Sequence, residues 1–238
     1  MNRHLLFLIV FLLPVVSASS QVNRDSLEQF IKSIDQIYGI NDVLVNGYPY
    51  IMPDPRIKGH PFLFNNGWNK ATIYIDKQEF TNKPVRYEIQ EKALILKADF
   101  GNGSYKTVQL NKHLVDSFRI KNRLFVSSSV FQKNSKDRFY FEIIYRSNNV
   151  FVRKFNKHFK DVYNTASPNG KFSEINEDRY IIANNTLEKV NSRGAFIRFF
   201  PKKKRRQIRR YFRNNGIRYS RASRKQLIQL SNFCFNLK

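Results

Sequence analysis

Six basic side chains recur along residues 201–213 at spacings that place them on one side of an α-helix. At 100° per residue they cover an arc of about 120°, while Ile208 and Phe212 form a narrow apolar stripe on the other side. Guanidinium and ammonium groups clustered in this way attract phosphate and carboxylate oxygens. The spacing therefore predicts an anion-binding surface, here called the cationic face: Lys202, Lys203, Arg206, Arg209, Arg210 and Arg213.

The charge of this segment is not balanced nearby. The 238-residue chain has 42 Lys and Arg against 18 Asp and Glu, a formal net charge of +24. Residues 193–238 hold fifteen of the basic residues and no Asp or Glu. Like charges one helical turn apart repel each other by a few tenths of a kcal/mol per pair. Packing of the apolar stripe, counterions or an anionic partner must offset that repulsion.

Three interpretations of the cationic face compete. It can be a solvated helix surface with no partner. It can bind an anionic surface such as anionic lipid headgroups, lipopolysaccharide or an acidic glycan. It can also bind nucleic acid, but no known nucleic-acid-binding module is recognisable and the N-terminus predicts export, so nucleic acid is the least favoured partner.

A second candidate site lies in a proline-rich loop that precedes the single tryptophan. This short segment, stiffened by prolines, combines a carboxylate, two basic groups and an aromatic ring: Asp54, Arg56, His60 and Trp68. A small polar binding site and an ordered loop closing one end of a sheet both fit this composition, and a hydrolase is a weaker third interpretation.

Catalytic and metal-binding signatures are absent from the sequence. It contains no GxSxG, P-loop or GxGxxG motif. His60, His113 and His158 are far apart and not at metal-ligand spacing, and His113 with Asp116 fits a surface pair. The single cysteine, Cys234, falls on the apolar side of a predicted helix, where it packs as a small hydrophobe. The sequence therefore predicts a non-enzymatic protein with no catalytic residue, cofactor or metal.

The first twenty residues predict export. An apolar run at residues 5–13 follows a short polar head, is too short to cross a bilayer, and is followed by Pro14 and small residues. Residues 1–20 are therefore interpreted as a signal peptide cleaved before Ser19 or Gln21, with an uncleaved anchor as the alternative. The mature chain is expected to be periplasmic, outer-membrane-associated or extracellular.

Three further segments must position the candidate sites. Residues 21–45 contain an amphipathic helix pattern at 26–38. Residues 46–191 form a β domain in which apolar residues alternate over about ten short runs separated by turn residues, with no intervening helices. The basic helical tail, 192–238, has helix starts at Ser192, near Pro201 and at Ser220 or Ser223. The predicted fold is α+β: a curved antiparallel β-meander preceded by one helix and followed by two or three C-terminal helices.

A resemblance to a group of proteins rests on three segments of the sequence: FLFNNGW, IYIDKQEFTNKPVRYEIQEKALIL and RGAFIRFFPKKKRRQIRRYFRNNGIRYSRASRKQLIQLSNF. The chain resembles a group of uncharacterised exported proteins of Bacteroidota-type Gram-negative bacteria that combine an antiparallel sheet with a Lys/Arg-rich helical tail. The resemblance covers nearly the whole mature chain and implies location and architecture only. This tail departs from the group in lacking the acidic residues that usually dilute its charge.

Two functions from different classes follow. The first is a secreted or envelope protein that binds an anionic surface or ligand through its basic helices. The alternative is a carrier that holds an apolar ligand within the curved sheet, because the 22 Phe and 12 Tyr could line a cavity as well as fill a core.

Overall fold

A large antiparallel sheet and three C-terminal helices make up the part of the chain that the structure, a computed structural model, describes: residues 44, 46–99, 104–132 and 137–237. These residues belong to one compact unit, Ile40–Lys238. The predicted signal peptide and the helix predicted at 26–38 lie outside the described residues.

The large sheet has eleven strands in the order β1-β5-β4-β3-β2-β6-β7-β8-β9-β12-β13, with every neighbouring pair antiparallel. Two short strands, β10 and β11, form a separate antiparallel ribbon. The α+β class and the antiparallel sheet predicted from the alternating pattern are thus confirmed. The strands are β1 Gly47–Pro49, β2 Asn69–Ile75, β3 Gln78–Glu88, β4 Ala93–Asp99, β5 Tyr105–Leu110, β6 Val115–Ile120, β7 Arg123–Ser127, β8 Tyr140–Arg146, β9 Val150–Asn156, β10 Phe159–Lys160, β11 Lys171–Phe172, β12 Asn176–Ala183 and β13 Thr186–Lys189.

Two-residue turns with positive φ join several of these strands. Asp76 and Lys77 link β2 to β3 with φ of 44° and 65°, and Lys121 with Asn122 and Asn184 with Asn185 do the same in later hairpins. This backbone has the twist that joins antiparallel strands, and Asn and Asp tolerate it better than most residues. The predicted turn at Gly101–Gly103 lies outside the described residues.

The sheet consists of two meanders that share β2. The chain runs outwards from β2 to β5 and then returns, so that β6 pairs with the free edge of β2. On a flat sheet β5 and β6 would be about 19 Å apart, whereas the link from Leu110 to Val115 reaches about 17 Å at most. The sheet must therefore curl, and the buried side chains of β2–β7 fill the inside of the curl. We call this cluster the sheet core.

The helical cap consists of α1 (Arg193–Phe199), α2 (Lys202–Asn214) and α3 (Arg224–Phe235). Ser192 caps α1 by accepting from the Ala195 amide, and Ser223 forms a capping box with Gln226 at the start of α3. Gly216, at φ +57°, follows α2. The helix starts predicted at Ser192 and Ser223 are confirmed, whereas Ser220 belongs to a short 3-10 turn.

The helical cap packs on β8, β9 and β12 through a second buried cluster, the cap core. Cys234 belongs to it with 1% of its surface exposed. Burial raises the pKa of the Cys234 thiol to about 12, so the thiol stays protonated and unreactive.

Candidate functional site: the cationic face and the ionic seam

The cationic face lies on the solvent side of α2. All six side chains predicted from the spacing are exposed. Among the residues that the structure describes, no carboxylate forms an ion pair with any of the six. The charge of this surface is therefore not neutralised within the described part of the chain.

The apolar stripe of α2 is what directs the cations outwards. Ile208 and Phe212 have 0% and 1% of their surface exposed. The Phe212 ring meets Phe196 of α1 edge-on at 6.1 Å and Tyr219 at 6.0 Å. Because this stripe is held in the cap core, α2 cannot rotate its charges inwards.

Two other cations of α2 hold the helical cap together. Arg205 donates to the carbonyl oxygens of Phe200 at 2.7 Å and Arg198 at 2.6 Å, at the C-terminal end of α1. Lys204 Nζ donates to the carbonyl oxygen of Leu237, beyond the end of α3, at 2.5 Å. Helix C-termini leave carbonyl groups unpaired and carry partial negative charge, so cations are favourable there.

Arg193 of α1 extends the cationic face. Its guanidinium lies over the Phe212 ring at 4.9 Å, and Nη2 is 3.5 Å from the carbonyl oxygen of Arg209. The side chain remains exposed. A seventh cation is thus held against the edge of the face by the ring that anchors α2.

The ionic seam is a cluster of four arginines and two glutamates beneath the helical cap. Glu142 on β8 has no exposed surface and accepts five hydrogen bonds. Arg123 donates to it twice, at 2.7 and 2.9 Å. Arg153 donates twice at 2.7 and 3.0 Å, and Arg224 of α3 donates at 2.8 Å. A single carboxylate thus joins β7, β9 and α3.

A second carboxylate extends the seam to β12. Glu177 accepts from Arg153 at 2.8 Å and from Arg179 Nε at 2.7 Å. Arg179 Nη1 also donates to the carbonyl oxygen of Tyr219, and its guanidinium lies over that residue's ring at 4.5 Å. The seam therefore holds the segment between α2 and α3 as well as the first turn of α3. Its six members are Arg123, Glu142, Arg153, Glu177, Arg179 and Arg224.

The seam separates the two hydrophobic clusters. Along β8, Tyr140, Glu142 and Ile144 lie at alternate positions on one face of the sheet; Tyr140 belongs to the sheet core and Ile144 to the cap core. Glu142 lies opposite Arg153 in the register. The same order recurs on β9, with Phe155 in the sheet core, Arg153 in the seam and Phe151 in the cap core. The charged residues thus form a line between two apolar regions.

The protonation of Glu142 depends on its neighbours. Burial acts to raise the pKa of this carboxyl, but the guanidiniums of Arg123, Arg153 and Arg224 outweigh burial and hold the pKa below its ordinary value. The carboxylate is therefore charged at neutral pH. A buried charge of this kind persists only where it is paired and fully hydrogen-bonded.

The predicted loop residues fall into two arrangements. Asp54 and Arg56 pair with each other at 2.5 Å in an exposed position, and hydrogen bonds from Arg56 lower the pKa of Asp54 to about 2. His60 Nδ1 accepts from the Phe62 amide at 3.2 Å. Trp68 contacts a different partner, Arg86. Within the described ranges, no hydrogen bond or ion pair joins Asp54 or Arg56 to His60 or Trp68.

Arg86 on β3 organises this region, and the sequence reasoning did not identify it. Its guanidinium lies 4.3 Å from the Trp68 ring and 5.1 Å from the Phe62 ring, and burial lowers its pKa. Its Nη1 is 3.5 Å from Met52 Sδ. Stacking between rings fits a packing role for the loop, with Asp54 and Arg56 as an exposed pair at its surface.

The seam residues were also missed. The available signal was Glu142, a carboxylate in the middle of the apolar string FYFEIIYR, where a charged side chain requires a buried partner. The partner Arg224 is 82 residues away. Spacing within the tail could not connect the two.

Within the described ranges, no cluster of three or more His, Cys, Asp or Glu side chains is arranged to hold a metal ion. None of the described helices is long and apolar enough to cross a bilayer. No protein-family model, curated protein or solved structure matches the chain. The resemblance to exported Bacteroidota-type proteins stays a prediction.

Proposed function

We propose that the protein is a non-enzymatic binding protein that attaches to a phosphate-bearing anionic surface through the cationic face of α2. The observation that carries the proposal is a helix with six exposed cations, no carboxylate ion pair among the described residues, and an apolar stripe committed to the cap core. The candidate surfaces share one chemistry, the phosphates of anionic lipid headgroups or of lipopolysaccharide.

The residue types favour phosphate. Four of the six side chains are arginines, whose planar guanidinium binds two oxygens of one phosphate group at once. Cations near an anionic membrane surface each contribute roughly 1 kcal/mol. The face therefore has enough charge to attach the protein without any recognition pocket.

The mode of attachment is electrostatic. A helix that inserts into a bilayer presents its apolar side to the lipid, but Ile208 and Phe212 of α2 are already buried in the cap core. The cationic face therefore docks on headgroups without insertion, and salt reverses the binding because exposed charges are screened. Export, as residues 1–20 predict, would bring the face to envelope phosphates.

The carrier alternative has less support. Inside the curled sheet the aromatic rings contact one another: Phe118 stacks on Phe125 at 4.9 Å, and Tyr87 meets both edge-on at 5.1 and 5.3 Å. Rings arranged in this way fill a core, which is the other use of the aromatic residues that the sequence left open.

The test is sedimentation with vesicles at two ionic strengths. One vesicle type contains phosphatidylglycerol in phosphatidylcholine, and the other is phosphatidylcholine alone. The wild-type protein is expected to bind the anionic vesicles at low salt and to dissociate as salt rises. The variant R206Q/R209Q/R210Q/R213Q is expected to bind about a thousandfold more weakly, from roughly 1 kcal/mol per cation removed.

The matched control removes four exposed cations from the sheet and ribbon instead, as K70Q/R119Q/R146Q/K160Q. This control has the same net charge as the α2 variant and should retain most of the binding. Equal loss in the two variants would show that total charge, not the cationic face, attaches the protein. A parallel arm replaces the vesicles with lipopolysaccharide, and another with an acidic glycan that contains carboxylates but no phosphate. Preference for the glycan contradicts the proposal.

A further inference from the structure

The ionic seam contains more positive than negative charge. Four guanidiniums share the carboxylates of Glu142 and Glu177. Glu142 is fully buried, and the Arg153 and Arg179 side chains are only 9% and 4% exposed. A buried excess of positive charge is unfavourable unless an anion or solvent reaches it.

The excess is accessible at one end of the seam. Arg123 and Arg224 donate through Nε to the same oxygen, Glu142 Oε1, at 2.7 and 2.8 Å, so their guanidiniums are neighbours. Their side chains are 18% and 35% exposed, in contrast to the deeper arginines. We call this place the seam mouth.

Donors remain unused at the seam mouth. Arg123 bonds Glu142 through Nε and Nη2, and Arg224 bonds it through Nε alone. Nη1 of Arg123 and both Nη atoms of Arg224 therefore have no hydrogen-bond partner among the described residues, and none of them is a buried unpaired atom. Several N–H donors from two adjacent guanidiniums thus face solvent together.

The mouth is held rigidly and its surroundings are positive. Arg123 lies over the rings of Phe64, Phe125 and Phe155 at 4.9, 5.3 and 5.2 Å, which fixes its plane. Lys121 lies over the same Phe64 ring at 5.2 Å. Arg224 is the first residue of α3, at the positive end of that helix.

We infer that the seam mouth is a second anion site, which binds one phosphate group between Arg123 and Arg224. The phosphate oxygens accept the unused Nη donors, and the ligand's charge compensates the excess of the seam. The inference does not depend on the cationic face, which is on another helix. The phosphate can be free or belong to a lipid headgroup, and the experiment distinguishes the two.

The experiment uses the full chain and inorganic phosphate. Thermal unfolding is followed in sodium phosphate and in sodium chloride of equal ionic strength, and the apparent affinity is taken from the dependence of Tm on phosphate. The expected result is stabilisation by phosphate that chloride does not reproduce. Equal Tm in the two salts overturns the site.

Two substitutions on α3 distinguish the contribution of the Arg224 hydrogen-bond donors to phosphate binding from that of positive charge alone. R224K keeps a cation that can reach Glu142 but removes both Nη donors, and it should weaken phosphate about tenfold or more, the effect of losing a charge-assisted hydrogen bond. K225Q removes a neighbouring exposed charge and should weaken phosphate by less than about twofold, as expected for a screened surface charge. Equal affinity in R224K and the wild type overturns the site.

A third arm needs no substitution in the seam. In the wild-type protein, phosphate titration should shift the guanidinium ¹⁵N NMR signals of Arg123 and Arg224 together. The variant R206Q/R209Q/R210Q/R213Q should show the same signal shifts. If the shifts were absent in this variant, phosphate would bind at α2 and not at the seam mouth. That result would overturn the seam site but would not contradict the proposed role of the cationic face. Reduced binding of R224K to anionic vesicles would identify the phosphate as a headgroup's, and unchanged vesicle binding would identify it as free.

Discussion

The ionic seam and the cationic face use the same residue type in opposite ways. In the seam, four arginines meet the buried carboxylate of Glu142 and the partly buried carboxylate of Glu177, and each guanidinium is oriented by its hydrogen bonds. On α2, four arginines and two lysines have no carboxylate partner among the described residues and are exposed. The difference comes from where the acids are: the tail from residue 193 onwards has none, and the sheet supplies Glu142 only beneath the start of α3. An arginine is therefore structural where the fold brings a carboxylate within hydrogen-bond distance, and it stays available to an external anion where the fold does not.

The largest effect on stability is expected when Glu142 loses its charge. E142Q leaves the guanidiniums of Arg123, Arg153 and Arg224 without their shared partner in a buried site. Removing one member of a buried ion pair typically costs about 3–5 kcal/mol. We expect a loss of this size in the free energy of unfolding, measured by urea denaturation.

The control for E142Q is E188Q, which removes an exposed carboxylate from β13. Its effect should stay within about 0.5 kcal/mol, as is usual for surface positions. A cost below about 1 kcal/mol for E142Q would mean that the seam is solvated and does not hold the cap, contrary to the buried pair described above.

Acid should weaken the seam through the protonation of Glu142. The pKa of Glu142 is lowered in the folded protein, so its stabilisation is present above the ordinary carboxyl pKa, 4.5, and is lost as pH falls through the lowered folded value. The free energy of unfolding of the wild-type protein should therefore decrease in this acidic range. The measurement is urea denaturation at a series of pH values.

In E142Q the slope over the same pH range should be smaller, because the group that takes up the proton is absent. Identical pH slopes in E142Q and the wild type would show that other carboxyls account for the acid sensitivity.

The smallest test compares two adjacent arginines of α2. Arg205 donates two hydrogen bonds to the end of α1, whereas Arg206 points to solvent. R205Q should lower the free energy of unfolding by about 1.5–3 kcal/mol, the contribution of hydrogen bonds to a charged group. R206Q should change it by less than about 0.5 kcal/mol.

The vesicle assay should give the reverse order. R206Q should lower the affinity for anionic vesicles more than R205Q, because Arg206 belongs to the cationic face and Arg205 is engaged with α1. If the two variants cost the same stability and the same affinity, the division of α2 into a structural and a binding set is wrong.

In the sheet, the strands could be predicted from the sequence pattern, but their order could not. Alternating residues located the strands on either side of turns such as Asp76–Lys77, because strand periodicity and turn conformation depend on neighbours in the chain. The return of β6 to β2 depends on pairing between strands that are not successive, so the alternation contained no sign of it. The same reason explains why the sequence pattern did not identify Arg86: its contacts with Trp68 and Phe62 form only when the loop folds over β3.

The cationic face could be predicted from local spacing alone. A helix repeats every 3.6 residues, so the spacing of Arg206, Arg209 and Arg213 against Ile208 and Phe212 sets which side is charged, and the absence of acids from the tail excludes local compensation. The partners of the other cations depend on the tertiary structure: Lys204, Arg205 and Arg224 donate to oxygen atoms on other elements. The two kinds of interaction differ in how far along the chain they act. Helical periodicity acts over a few residues, whereas a buried charge is paired by whichever distant segment the fold brings beside it.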